Sequence, residues 1–392
     1  MILIEINLPP STLFLSQVLT TALTYLAWYS EGYVEYEPRR NVLKLKVPND
    51  DALKEGLSRL VNHLIQGEYG LQPQIAPIAD RQRIPRSGVL REILGPLAQA
   101  RRADINEALR RYVRYCSSLA SYSDELGKEF SKFDPAEGYV NAGQKMTMLS
   151  CLQPEFMEAF RRLGTWGGTT SGAPYVRDIK LGLHSTVLGL IGVYLSKFYV
   201  DYQRGTTYYL LINSSSLLGY RYLQSQLLYN HRSLLRELKL RPFPSEISLL
   251  LFTILHTCGL AGQIVVTLEG GQRCDLLLYE TEMQQLVKLS TFSQLLWMRS
   301  PRLAQQLLTF LRRGTREEYQ GVVSRVATLL YEAISIADVD PDRAISILYD
   351  ISREVNLVLD RERLRNLSFN VEELIDVFQD FITLSSRGLS LL

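Results

Sequence analysis

The sequence predicts an α+β fold: mixed α/β N-terminal and middle regions followed by an all-α C-terminal helical bundle. Three observations carry that expectation. Apolar and polar residues alternate with period two over residues 2–6 and 42–47, as half-buried strands do. Two apolar runs, 264–268 and 274–279, flank a Gly-Gly pair, which is a hairpin pattern. From Glu282 onward the apolar period is near 3.6 and no strand pattern occurs.

The N-terminal α/β region, residues 1–75, begins with the strand over 2–6. Ser11 is placed to cap an apolar helix over 13–28. Strands over 33–36 and 42–47 enclose Pro38-Arg-Arg-Asn41 as a hairpin. Asn49, Asp50 and Asp51 then cap a helix over 52–66, with Leu53, Leu57, Leu60, Val61 and Leu64 on one face. Two prolines and no periodicity make 70–77 a linker or loop.

The middle region, 76–281, mixes helices with the hairpin and holds an Arg-rich segment. An amphipathic helix is expected over 101–121, with Ile105, Leu109, Val113 and Cys116 as its apolar stripe. A Pro/Gly loop is expected over 134–140 and a helix opened by Pro154 over 153–163. One core helix over 181–200, a strand over 208–212, a helix over 217–237 and a buried helix over 245–258 precede the hairpin. The C-terminal domain, 282–392, then carries helices at about 282–298, 301–313, 315–336, 341–358 and 371–385. Pro301, Gly314 and Pro341 supply their start and stop signals.

At 392 residues, 46% hydrophobic and 21% charged, the chain can bury sizeable cores, which excludes disorder as its main state. A net charge of +2 conceals an uneven distribution. Residues 81–114 hold nine arginines against three acids, a local net of +6, whereas residues 326–392 hold twelve acids against six arginines. Of the 43 basic residues 33 are arginine, and there are 22 tyrosines. Both side chains stack on bases and reach phosphates, so the basic part suits nucleic acid. The acidic part suits solvent or a basic protein surface.

Cys116, Cys151, Cys258 and Cys274 lack metal-knuckle or redox spacing, and the four histidines are scattered. His256 and Cys258 fall in an apolar helix, which assigns them a structural role. No metal and no cofactor is implied. Residues 247–268 contain no charge in 22 positions, enough for a membrane span. Gly259, Gly262 and Gln263 divide that stretch into helix and strand, so no membrane partner is expected. The N-terminus lacks a charged leader, and the expected compartment is the cytoplasm.

Three segments offer recognition chemistry. Residues 164–172 hold four glycines, four hydroxyls and Trp166; Gly167 and Gly168 let backbone N–H groups approach a phosphate or a groove closely. The same segment also suits a plain helix–helix connector, and it matches neither a P-loop nor a nucleophile elbow. Asn141, Gln144 and Lys145 form an amide-and-lysine loop able to read base edges or neutralise phosphate; a cap and surface polarity explain it equally. Arg101, Arg102, Arg110, Arg111 and Arg114 gather with few acids beside them, which suits contact with nucleic acid, or else a solvated or intramolecularly paired face. Acidic pairs such as Asp124/Glu125 and Glu317/Glu318 are adjacent and diverge on a helix, so a non-enzymatic protein is expected.

This layout resembles the large subunit of archaeal type I-A CRISPR effector complexes (Cascade). Phe133-Asp-Pro, Gly138-Tyr-Val-Asn141, Gly143-Gln-Lys145 and the Gly/Thr loop are the segments that carry the likeness, and it spans most of the chain. The resemblance implies a non-catalytic subunit of an RNA-guided antiviral complex. Such a subunit contributes to recognition of the protospacer-adjacent motif and to R-loop stabilisation. It also implies partners: a double-stranded DNA target, the crRNA-containing complex, other Cascade subunits contacted through the helical domain, and a helicase-nuclease. The rival expectation is a stand-alone structural or regulatory module that binds protein and not nucleic acid.

Overall fold

The computed structural model describes residues 1–10, 13–67, 83–98, 104–135, 137–152, 179–201, 206–212, 214, 217, 219–239, 243–256, 263–269, 273–275, 280–358 and 369–386. The fold is α+β with a helical C-terminal region. It divides into two compact units, Met1–Arg236 with Ile264–Leu277, and Glu237–Gln263 with Leu278–Leu392. Ser11, the 70–77 linker, the 153–163 helix, the 164–172 loop and Cys258 lie outside the described residues.

The first unit is built on an antiparallel sheet of order β1-β3-β2, with β1 Ile2–Asn7, β2 Tyr33–Glu37 and β3 Val42–Val47. Its register puts Ile4 and Val34 opposite Leu45, and Ile6 opposite Leu43, so one face is buried. On the other face Lys46 pairs with Glu35 at 2.7 Å and Lys44 with Glu37 at 2.9 Å. The two acids of the Glu35-Tyr-Glu37 strand are therefore partnered across the hairpin.

Helices α1 (Phe14–Tyr29) and α6 (Leu183–Ser196) form the centre of this unit. Both are buried along nearly their whole length, and the polar sector of α1, Ser16, Gln17, Thr20, Thr21 and Thr24, is buried with the rest. They approach so closely that a Cβ on Gly192 would lie 2.0 Å from the Val18 carbonyl oxygen. Gly192→Ala must push the helices apart, and overpacking of this kind is expected to cost about 2 kcal/mol in urea unfolding.

Helix α2 (Asp50–Ile65) starts as expected, with Asn49 accepting from Ala52 N at 2.7 Å. Asp50 also reaches across the 75/76 boundary. Its carboxylate accepts from Ser123 N at 2.7 Å and Tyr122 N at 3.1 Å, capping α5 (Tyr122–Glu129). Burial pushes this carboxyl up, but those bonds and Lys54 outweigh it and hold it below its usual value. Residues 1–75 and 76–236 thus fold as one body.

Three further α-helices and eight strands complete the described part of this unit. Helices α3 (Val89–Leu94) and α4 (Ile105–Ser118) pack together. Short strands β4 (Phe133–Asp134), β5 (Gly138–Tyr139), β6 (Met146–Thr147) and β7 (Lys180–Leu181) make a sheet of order β4-β5-β7-β6. Strands β8 (Lys197–Asp201), β9 (Thr206–Ile212), β10 (Gln263–Glu269) and β11 (Arg273–Asp275) form another, of order β11-β10-β9-β8. Helix α7 (Arg221–Leu238) covers the free edge of β2. Gln224 Oε1 accepts from Val34 N at 2.9 Å, and Leu217 O accepts from Tyr36 N at 3.0 Å.

Several expectations are corrected here. The 134–140 segment is not a plain loop. It contributes β4 and β5, and Gly138 (φ +85°) meets the Lys180 backbone so closely that no Cβ fits. The 181–200 helix ends at Ser196, because Lys197 and residues 199–201 pair with β9 as a strand, with an irregularity at Phe198. Helix α4 starts at Ile105, where Asp104 caps it by accepting from Glu107 N at 3.0 Å. Its buried stripe is Ile105, Ala108, Leu109, Tyr112 and Cys116, with Val113 only half-buried.

The second unit is helical: α8 (Glu246–His256), α9 (Glu280–Arg299), α10 (Pro301–Arg313), α11 (Glu317–Ile336), α12 (Pro341–Val358) and α13 (Val371–Ser386). Ser300 caps α10 by accepting from Leu303 N at 3.3 Å, with Pro301 in its first turn. Phe292, Phe378 and Phe381 meet at ring distances of 5.5–5.7 Å in its core. His256 Nε2 lies 3.4 Å from Glu237 Oε2. The charge-free stretch resolves into α8 and β10, and no described helix is long and apolar enough to cross a membrane.

Candidate nucleic-acid interface

The Arg-rich segment surfaces on α3, α4 and the turn before α3. Arg86, Arg91, Arg110 and Arg114 are exposed. Two others act inside the chain. Arg83 Nη1 donates to Met148 O at 2.6 Å, and Arg111 Nη1 donates to Glu92 O at 2.9 Å, tying α4 to α3. Arg101 and Arg102 lie outside the described residues.

On α4 one carboxylate serves several guanidinium groups. Glu107 Oε1 accepts from Arg111 Nε at 2.9 Å and Arg114 Nη2 at 3.3 Å. The Arg111 hydrogen bond, opposed by slight desolvation and aided by the charges of Arg111, Arg114 and Arg110, holds the Glu107 carboxyl below its usual value. Arg114 remains 71% exposed despite its contact. The outward side of α4 therefore keeps an excess of positive charge.

Beside it stands the polar loop. Gln144 is drawn to the start of α3, with Nε2 donating to Ser87 O at 2.8 Å and Oε1 accepting from Leu90 N at 3.3 Å. Asn141 Nδ2 donates to Ser131 Oγ at 3.0 Å, and Lys145 Nζ donates to Val140 O. These three residues hold the loop in shape through the protein's own acceptors and donors. Trp166, Gly167 and Gly168 lie outside the described residues.

Asn141 and Gln144 also line a cavity of about 340 Å³ with Tyr115, Lys128, Glu129 and His184. Its floor is a buried polar cluster that the sequence reading did not single out. His184 Nδ1 lies 2.8 Å from Tyr112 OH, which lies 3.0 Å from Tyr122 OH. Burial lowers the His184 pKa, raises those of Tyr112 and Tyr122, and pushes the Cys116 thiol up to about 12. All four groups are neutral at pH 7, so the cluster offers no activated nucleophile. The legible signals were Ser121 followed by Asp124 and Glu125, which opens α5, and Gly182 followed by Ser185, which opens α6.

In the second unit several acidic side chains meet basic partners of the same unit. Arg325–Glu354 stands at 2.9 Å, Arg343–Glu332 at 3.1 Å, Lys288–Asp338 at 2.6 Å and Arg299–Asp380 at 3.2 Å. Among the described residues no group of three His, Cys, Asp or Glu side chains is placed to hold a metal ion. The chemistry available on the α3–α4 surface is guanidinium recognition of phosphate. No protein-family profile matches this chain, and no curated protein shows significant sequence similarity to it.

Proposed function

We propose that this protein binds nucleic acid without catalysing a reaction on it, and that the α3–α4 surface receives the phosphate backbone. The observation that carries this reading is the set of four exposed arginines, Arg86, Arg91, Arg110 and Arg114, in a layer where Arg111 already occupies much of Glu107. The resemblance to the large subunit of type I-A CRISPR effector complexes supports the finer reading. In that reading the ligand is target duplex DNA held within an RNA-guided complex. The subunit then contributes to recognition of the motif beside the target, alongside its partner subunits and a helicase-nuclease.

Salt dependence tests the coarser claim directly. Each phosphate neutralised releases counterions, so the slope of log K against log salt counts the contacts. Replacing Arg86, Arg91, Arg110 and Arg114 with Gln is expected to weaken duplex binding at least tenfold near 0.1 M salt. The slope should flatten by about three to four. Motif-bearing and motif-lacking duplexes should suffer alike, because phosphate contacts carry no sequence. Arg111 is left intact in this variant, since it joins α3 to α4. An unchanged slope removes this surface from the footprint.

A further inference from the structure

We infer that the outward face of α7 is a stacking platform for single-stranded nucleic acid. This goes beyond the α3–α4 reading and stands on different residues. The inward face of α7 is fixed: Gln224, Leu227, Leu228, His231, Leu234, Leu235 and Leu238 are buried. Gln224 and His231 are also hydrogen-bonded to α1 and to the strands. What the helix turns outward is determined by that anchoring.

The outward sector has an ordered composition. At 3.6 residues per turn, Arg221, Arg232 and Arg236 fall within a sector of about 60°, and Tyr222 and Tyr229 fill the next ~20°. Tyr222 is 74% exposed and Tyr229 73%, and Tyr220, just before the helix, is 67% exposed. From 221 to 236 there is no carboxylate at all. Glu35, which lies against Gly219, is itself paired with Lys46. Arg232, half-buried, rests over the Trp28 ring at 5.4 Å.

A row of arginines beside a row of exposed rings matches one ligand chemistry. The arginines follow a polyanionic backbone while the rings take the faces of bases. Bases in a duplex are already stacked on one another, so only an unpaired strand can use the tyrosines. Tyr222 and Tyr229 stand ~10 Å apart along the helix, far enough to receive different nucleotides. A protein partner fits less well. Its interface core needs contiguous apolar side chains, and here Ser225, Gln226, Ser233 and the arginines surround the rings.

The test uses the full chain and a fluorescent oligothymidylate of about 16 nucleotides, read by anisotropy. The pair Tyr222→Ala and Tyr229→Ala should bind it at least tenfold more weakly, while Tyr222→Phe with Tyr229→Phe stays close to wild type. Arg221→Gln with Arg236→Gln should flatten the salt slope by about 1.4. Duplex binding should survive the tyrosine changes, and oligothymidylate binding should survive the α3–α4 glutamine variant, so the two sites fail independently. Equal affinity of the alanine pair and wild type overturns the proposal. So does a wild-type chain that ignores the strand, or an alanine pair that loses a protein partner while keeping the strand.

Discussion

The Glu129→Ala variant is expected to lose about 4 kcal/mol of unfolding free energy. Glu129 is only 7% exposed, and its carboxylate accepts three hydrogen bonds: from Ser185 N and Ser185 Oγ, each at 2.6 Å, and from His184 N at 3.0 Å. It therefore caps α6 from another helix, satisfying first-turn N–H groups and facing the positive end of the helix dipole. The residue in the cap position, Gly182, has no side chain to do this, and a Cβ there would fall 2.3 Å from the Glu129 Cδ. Alanine leaves two buried N–H donors without acceptors, at roughly 1–3 kcal/mol each. Glu129→Gln keeps an acceptor but no charge and should lose about half as much. Urea unfolding of the three proteins checks the order, and an alanine variant within about 1 kcal/mol of wild type refutes the capping role. An exposed pair such as Arg59–Glu55 provides the contrast, being worth well under ~1 kcal/mol.

Acid is expected to destabilise the first unit through His231 by about 3 kcal/mol between pH 6.5 and pH 4. Leu210 O can only accept, so His231 Nε2, 3.0 Å away, carries the proton. Nδ1 then accepts from Tyr25 OH at 2.8 Å. The neutral ring is satisfied at both nitrogens, and complete burial pushes its pKa down to about 4, against the bond to Leu210 O. The folded value lies below the unfolded one, so the unfolded chain binds the extra proton first. The stabilisation is complete above about pH 6.5, falls as pH drops toward 4, and levels off below that. His184, in the same unit, is shifted in the same direction by burial and steepens the same limb. His231→Gln should be less stable at neutral pH yet show a shallower loss on acidification. A variant with the wild-type pH slope would assign the effect elsewhere.

Elements whose signals are local were legible in the residues. The α10 helix is announced by Pro301 and Gly314, and its range of Pro301–Arg313 matches the expected one. The hairpin β2–β3 follows from alternation on either side of 38–41, and α2 from the Asn49 cap. In each case the backbone groups find partners within a few positions, so spacing alone carries the information. The local signal also placed the Arg-rich surface on an amphipathic helix.

Pairing across the chain decided the rest. Strands of two residues, such as β4 to β7, are too short for alternation to register, and only pairing with a partner strand makes them strands. The end of α6 at Ser196 depends on Lys197 lying opposite Tyr209. Tyr112 entered the core beside Ala108, where His184 and Tyr122 complete its hydrogen bonds, and Val113 stayed at the margin. The same holds for the site. Sequence alone determined that arginines and amides would be abundant there, because composition is a local property. Tertiary structure decided that Arg83, Arg111 and Gln144 would be engaged with Met148, Glu92, Ser87 and Leu90, leaving Arg86, Arg91, Arg110 and Arg114 toward solvent. A guanidinium or amide is committed by whichever carbonyl or N–H the fold brings within 3 Å or so, and that neighbour can lie many positions away in the chain.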